Sequence, residues 1–405
     1  MEFARQKVFI ISSGQIVKGK SAGSQRVLNL ARSLASGGVL VYLVSYLNVR
    51  TSSISTIELD HNIFYLKDID RKRQNKHPNI TRFLASVNNF LGPERAGVTI
   101  YLYPTVFTQK DWIYLIYFKF FKRYPFYCDI NELRVASALL PALEKGLFHR
   151  VKSKIKASLK WIPFKLSELQ SVFCDGIVVI STNLEEYFSR YNTRILRIPI
   201  LCDGQGNMNG DNFPKYADNI FKICFAGYIK CAKEGFDILF EALAKVNVCR
   251  QVELYLYGIL PDEEKLTLES LVERFSLERK IFYMGNVDPD DLQAEFTQYH
   301  LLILPRSHTR QAVFGFSTKL AEYLLSGVPV LITDVSDNGL FIKDGYNGFI
   351  IPPGSSLLMA DKIMDVIDNY NLNASKIAEN ARVTARENFD FRLFTDRFID
   401  FLFSR

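Results

Sequence analysis

A chain of 405 residues with 48% hydrophobic content is long enough for two ordinary domains, each with its own core, and oversized for one. Its net charge of +7 favours acidic ligands or an anionic surface, but 23% charged residues is an average value and no nucleic-acid motif accompanies it. Six scattered cysteines without CxxC or Cys/His ligand spacing read as reduced core thiols of a cytoplasmic protein, and five histidines without ligand spacing predict no bound metal.

The N-terminal apolar run Val8 to Ile11 is too short for a secretory signal and reads as a first strand. Further β-branched or aromatic runs follow at 39–45, 63–66, 98–103, 126–130, 177–181 and 195–200, alternating with helical patterns, which predicts a parallel sheet with crossover helices. Between the first strand and a helix over Gln25 to Leu34, the connection Ser12 to Ser24 carries Gly14, Gly19 and Gly23. It lacks GxGxxG, which disfavours dinucleotide binding, and is either a ligand-contacting loop or a plain surface loop. Trp112 to Phe121, broken by Lys119, falls short of the roughly 18 residues a membrane span requires. Asp129, Asn131 and Glu132 close a strand whose carboxyl end faces ligand in an open α/β sheet, though Asp129 or Asn131 could equally cap a helix. From Lys145 to Lys165 seven Lys or Arg residues and no acid interleave with apolar side chains. That is a basic amphipathic helix suited to anionic lipid, or a connecting helix packed by its apolar side; the run Arg71 to Lys76 extends the surface or is a loop.

The polar, glycine-rich stretch Asp203 to Asp211 is a natural linker, and a second series of strands restarts beyond it at 222–227, 252–258, 281–285, 301–305, 330–333 and 348–351. Domains are therefore expected at 1–203 and 211–385, with a terminal amphipathic segment at 386–405. His300, just before an apolar strand, reads as structural.

The most informative stretch runs from Phe314 to Pro353. Ser317 or Thr318 is expected to cap a helix through Leu325, Gly327 supplies a left-handed exit, and Pro329 precedes the strand Val330 to Ile332. The free N–H groups from about Phe316 to Leu320 suit phosphate oxygens, Lys319 is the nearest cation, and Glu322, one turn beyond Thr318, can accept both hydroxyls of a ribose.

With Gly-Val-Pro-Val at 327–330, Thr333-Asp334 and Asp344-Gly345-Tyr346-Asn347-Gly348 at their spacing, this unit resembles the nucleotide-sugar site of family 4 glycosyltransferases (glycosyl transferases group 1). The resemblance implies a GT-B fold, α/β with two doubly wound Rossmann-like domains facing a central cleft, an acceptor-binding first half, a donor-binding second half, and a last segment crossing back to the first. It implies a retaining glycosyltransferase of hexosyltransferase type in polysaccharide or glycoconjugate assembly. No cofactor is bound; a nucleotide diphosphate sugar is co-substrate, UDP favoured over GDP, and the acceptor is a glycan or lipid-linked. The setting is cytoplasmic, peripheral on an anionic inner membrane face through Lys145 to Lys165. It assigns catalysis to Glu132, Lys233 and Glu322, and donor contacts to Gly23, Lys233, Asn286, Val287, Gly315, Phe316, Ser317, Thr318, Lys319 and Glu322. Two departures stand out. Tyr228 occupies the position of an arginine in the motif around Gly227 to Gly235, with Lys230, Arg306 and Arg310 as replacements or as surface residues, and Phe314 replaces the first of two paired glutamates. A GT-B isomerase of nucleotide sugars and a catalytically silent binding subunit are the alternatives.

Overall fold

The computed structural model describes residues 6–12, 21–45, 54–68, 79–93, 95–104, 108–137, 162–205, 214–216 and 220–404. The expected glycine-rich loop at 13–20, the basic stretches 71–76 and 145–161, and linker positions 206–213 lie outside these residues. The chain divides into two compact units, one holding the described residues up to Val135, those at 162–201 and those from Phe391, the other holding Ala136, Ser137 and the described residues from Cys202 to Asp390.

In the first unit the strands are β1 (Lys7–Ser12), β2 (Leu40–Ser45), β3 (Ile54–Asp60), β4 (Ile63–Asp68), β5 (Val98–Leu102), β6 (Phe126–Ile130), β7 (Gly176–Val179) and β8 (Ile195–Arg197). They stand in the order β3-β4-β2-β1-β5-β6-β7-β8, parallel except for the β3/β4 pair. β1, β5 and β7 are apolar without alternation because helices cover both faces, and their residues are buried throughout apart from Lys7. β3 is the strand that sequence reasoning missed. It lies at the sheet edge, mostly exposed, so it shows no apolar alternation, and a tight turn with Asn62 at φ 62° returns it to β4.

A buried ion pair fixes the centre of this unit. Arg26, on the helix Ala22–Ser36, donates from Nε to Asp129 Oδ1 and from Nη2 to Asp129 Oδ2, each at 3.0 Å, and Tyr101 donates to the same carboxylate at 2.8 Å. Asp129, considered near ligand or at a helix cap, is thus a core residue fully withdrawn from solvent. The turn Phe391–Phe394 and the helix Thr395–Phe403 also belong here: Phe398 meets Tyr101 edge-on at 5.6 Å and Thr395 donates to the Ser33 carbonyl at 3.0 Å.

The second unit holds β9 (Ile220–Ala226), β10 (Gln251–Tyr257), β11 (Ile281–Gly285), β12 (Leu301–Leu304), β13 (Val330–Thr333) and β14 (Phe349–Ile351), all parallel, in the order β11-β10-β9-β12-β13-β14. Strand order reverses between β9 and β12, which opens a crevice at their carboxyl ends. A long helix, Ser356–Phe389, packs along this unit. His300 accepts from the Lys222 N–H at 2.9 Å and stacks on Phe221 at 4.9 Å, so its role is packing. Cys249 departs from the expected set of core thiols: it is exposed, whereas the other five cysteines are buried.

Candidate functional site

The switch point of the second sheet is held open by one tyrosine. β9 pairs with β12 only through Leu301 and Leu302, opposite Ile223 and Cys224. Beyond that, the Ala226 N–H donates instead to Tyr323 Oη at 2.7 Å, and the hydroxyl donates back to the Ala226 carbonyl at 3.3 Å. Tyr323 is fully buried on the helix Thr318–Ser326, so this pair of bonds docks the helix against the end of β9. At the far end Gly327 takes the left-handed conformation at φ 73°, packed so closely under the Arg382 guanidinium that a Cβ would lie 2.1 Å from Nη2.

At the near end Lys319 turns into the crevice. Its ammonium lies 4.0 Å above the Phe225 ring and 3.4 Å from Glu234 Oε2, and Arg306 Nε reaches the same oxygen at 3.6 Å. Glycine at 227 is a steric necessity, because a Cβ there would sit 2.0 Å from Lys319 Cε in a backbone conformation of φ 147°. These contacts are ionic and loosely made: Lys319 Nζ, Arg306 Nε, Glu234 Oε2 and the neighbouring Ser317 Oγ are buried with no hydrogen-bond partner among the described residues. Donors left unsatisfied at a helix start, beside two buried cations, are the requirement of an anion.

Burial pushes the Lys319 ammonium down to about 8, with Glu234 opposing and Arg306 and Lys233 adding to the fall. For Glu234, burial alone would raise the carboxyl, but Lys319, Arg306 and Lys233 outweigh it and hold it below its usual range. One turn along, burial raises Glu322 to about 7 against the pull of Lys319. Its backbone carbonyl accepts from Gln293 at 3.5 Å, while its carboxylate makes no hydrogen bond among the described residues.

The second unit therefore brings together Lys233, Ser317, Thr318, Lys319 and Glu322. Lys233 is on the short helix Cys231–Glu234, and its carbonyl accepts from the Ser307 N–H at 3.4 Å. Two expectations change. Ser317 holds the N-cap position, but its hydroxyl makes no capping bond. Phe316 turns its ring into a cluster with Phe341 and Phe389, at 5.6 and 6.0 Å, so it and the buried Gly315 offer backbone alone. Asn286 and Val287 follow the left-handed Gly285 at the end of the edge strand β11, two strands from β9. The Asp344 to Gly348 motif is architectural: Asn347 donates to the Phe341 carbonyl and to Thr384 Oγ1, at 2.8 and 2.7 Å, and Asp344 pairs with Lys362 at 2.8 Å.

Gly23 and Glu132 lie in the first unit. Gly23 sits in the opening turn of the helix Ala22–Ser36 rather than in a loop, where a Cβ would crowd Tyr103 Oη at 3.2 Å. Tyr103 Oη accepts from Asn131 at 2.5 Å, and Glu132, next in the chain, lines a cavity of about 30 Å³ with Asn131, Arg134 and Glu168. Sequence reasoning gave no role to Glu234 and left Arg306 between stand-in and surface residue. The structure buries both, the Arg306 side chain at 13% exposure, whereas Tyr228 and Arg310 face solvent.

Comparison with known proteins agrees with this fold. The family model for glycosyl transferases group 1 matches residues 220–369. A phosphatidyl-myo-inositol mannosyltransferase of Mycobacterium leprae is 26% identical over 40% of this chain and 42% of its own length, so the chain spans less than half of that curated relative. Among solved structures, sucrose-phosphate synthase of Thermosynechococcus elongatus superposes with a TM-score of 0.70 at 16% identity over 97% of both chains. Anabaena HepE in complex with UDP-glucose gives 0.66 at 17% identity over 99% of this chain and 100% of the other. These superpositions establish the GT-B fold, and within it residues 220–369 are what matches the glycosyl transferases group 1 model.

Proposed function

We propose that this chain is a glycosyltransferase that moves a sugar, with retention of anomeric configuration, from a UDP-sugar to a glycan or lipid-linked acceptor. The observation that carries the reading is the pair of buried cations, Lys319 and Arg306, at the start of the helix Thr318–Ser326, with the unpartnered carboxylate of Glu322 one turn on. As the bond between the anomeric carbon and the phosphate oxygen breaks, its electron pair goes to the diphosphate, the acceptor hydroxyl oxygen bonds the anomeric carbon, and the hydroxyl proton passes to the departing diphosphate. Lys319, Arg306, Lys233 and the helix start stabilise that charge without reorganising. Glu322 accepts both ribose hydroxyls, and backbone at Gly315 and Phe316 supplies N–H donors. Asn286 and Val287 contact the base, Gly23 is a further donor contact, and Glu132 serves the acceptor side.

The uridine choice draws on the UDP-glucose held by the HepE structure, and the acceptor class on the printed names of a phosphatidylinositol mannosyltransferase and of a TarM complex with α-GlcNAc-glycerol and UDP. We also place the protein on an anionic membrane face; no described helix is long and apolar enough to cross a bilayer.

The test is calorimetry and thermal shift of wild type and Glu322→Ala against UDP, GDP and their sugars. Ligand at about 100 times its dissociation constant adds roughly 2.7 kcal/mol of stability. Selective stabilisation by UDP and UDP-sugars, lost in the variant, is expected; binding indifferent to Glu322 sinks the reading. Turnover that needs no acceptor would make the protein an isomerase, and binding without turnover a silent subunit.

A further inference from the structure

Two helical stripes of apolar side chains in the first unit face solvent. The helix Thr108–Tyr114 continues into the wider π-type turns of Leu115–Phe121. Ile113, Ile116 and Phe120 are exposed along it at spacings of three and four, ending at Phe121, 74% exposed. The second stripe runs over helical residues 162–169 and the turn Gln170–Phe173, where Ile162, Leu166, Leu169 and Phe173 are exposed at spacings of four, three and four, Ile162 by 61%. This spacing belongs to a helix face that packs inward. Here the inward sides are already occupied by Tyr114, Leu115 and Phe118 on one element and by Gln170 and Ser171 on the other, all buried. The outward stripes are therefore second apolar faces.

The two stripes form one patch. Phe173 meets Trp112 edge-on at 5.8 Å and Phe120 at 6.3 Å. An exposed apolar area of this continuity marks an interaction surface. Its charge is one-sided: Asp111 pairs with Arg134 at 3.5 Å, Glu168 with Lys165 at 2.6 Å and Asp175 with Lys119 at 2.6 Å, while Lys122 and Arg123 directly follow Phe121. Each acid on these two segments is matched by a cation, and two further cations stand at the exposed aromatic end. A broad apolar centre with a basic rim is the pattern of a surface that lies in the headgroup region of an anionic bilayer.

We infer that this face, through Phe120, Phe121, Ile162 and Leu166, inserts into the surface of an anionic bilayer. The inference rests on the peripheral reading above and supplies its contact surface, from residues other than the basic stretch at 145–161. It is tested by sedimenting the full chain with vesicles of mixed phosphatidylglycerol and phosphatidylcholine, and with phosphatidylcholine alone. The variants are Phe120→Ser with Phe121→Ser, and Ile162→Ser with Leu166→Ser; all four positions are exposed, so an unchanged Tm certifies folding. Wild type is expected to pellet with the anionic vesicles only. Each double variant should lose about tenfold or more in partitioning, as removal of two large apolar groups implies, and Glu322→Ala should pellet as wild type does. Equal pelleting of wild type and both double variants overturns the face and leaves the peripheral reading standing on other residues. Failure of wild type to pellet removes both, with nucleotide binding measured separately by calorimetry. A dimer in solution that the Phe120/Phe121 variant dissociates would assign the face to a second copy of the chain and overturn the bilayer.

Discussion

Replacing Glu234 with glutamine removes the one carboxylate that Lys319 and Arg306 share. A unit-charge pair at the observed 3.4 Å is worth about 5 kcal/mol at an effective dielectric near 20. That attraction opposes the burial that already brings Lys319 down to about 8. If only a quarter of it were lost, the lysine would fall by about one further unit, at roughly 1.4 kcal/mol per unit. At pH 7.5 its charged fraction would then drop from roughly three-quarters to roughly one-quarter. The carboxylate also competes with a diphosphate for the same two cations, so its removal acts in both directions. At pH 6, where Lys319 is protonated in either protein, Glu234→Gln should bind UDP as tightly as wild type or more tightly. At pH 8.5 it should bind more weakly. The assay is calorimetric titration of UDP from pH 6 to 9, read as the midpoint at which affinity falls. A variant midpoint at least half a unit below that of wild type is expected. Coincident midpoints would refute the claim that Glu234 sustains the charge on Lys319, and would reduce the carboxylate to a packing element.

For Glu322 the sign runs the other way. Its folded-state value of about 7 lies above the ordinary 4.5, so it contributes stability that is full below about 4.5 and is lost as pH rises through about 7. On the proposed reading Glu322 takes the ribose hydroxyls in its ionised form, so UDP affinity should rise with pH through neutrality in wild type and stay flat in Glu322→Gln, by the same titrations. Gly227→Ala places a Cβ 2.0 Å from Lys319 Cε and should abolish UDP-induced thermal stabilisation while lowering Tm of the free protein. Tyr323→Phe leaves the buried Ala226 N–H without its 2.7 Å partner and should cost about 1–3 kcal/mol in urea unfolding, with weaker UDP binding because the helix start is no longer docked. Asp129→Ala strands the Arg26 guanidinium in the first core and should destabilise by about 3–5 kcal/mol without changing UDP affinity; normal stability would contradict the buried pair.

How far each feature could be read from sequence follows from the distance over which its cause acts. Strands covered by helices on both faces announce themselves because every position wants an apolar side chain; β9, with Phe221, Ile223, Cys224 and Phe225 all buried, is of this kind. β3 has water on it and a single partner strand, so nothing local distinguishes ISTIELD from a loop. Likewise Gly327 was legible because a left-handed helix exit is a property of one residue. Whether the Ser317 hydroxyl caps its helix is not, since the packing that buries it without any partner among the described residues comes from elsewhere in the fold.

The cation cluster illustrates the same principle at the site itself. Read locally, Tyr228 in place of an arginine removes one phosphate ligand from the turn after β9. Arg306 brings a cation to the same crevice from its far side, on the loop after β12, seventy-two positions from Glu234 in sequence yet 3.6 Å from its carboxylate. What joins them is the sheet order, which sets β12 beside β9 and makes the two loops neighbours. The extra residue Glu234 then has a physical reason: cations converging from three segments repel one another in a buried site, and a single carboxylate between them lets Lys319 and Arg306 stay charged before any phosphate arrives. A missing arginine in one motif is therefore no measure of lost function where a second loop at the same switch point can supply the charge.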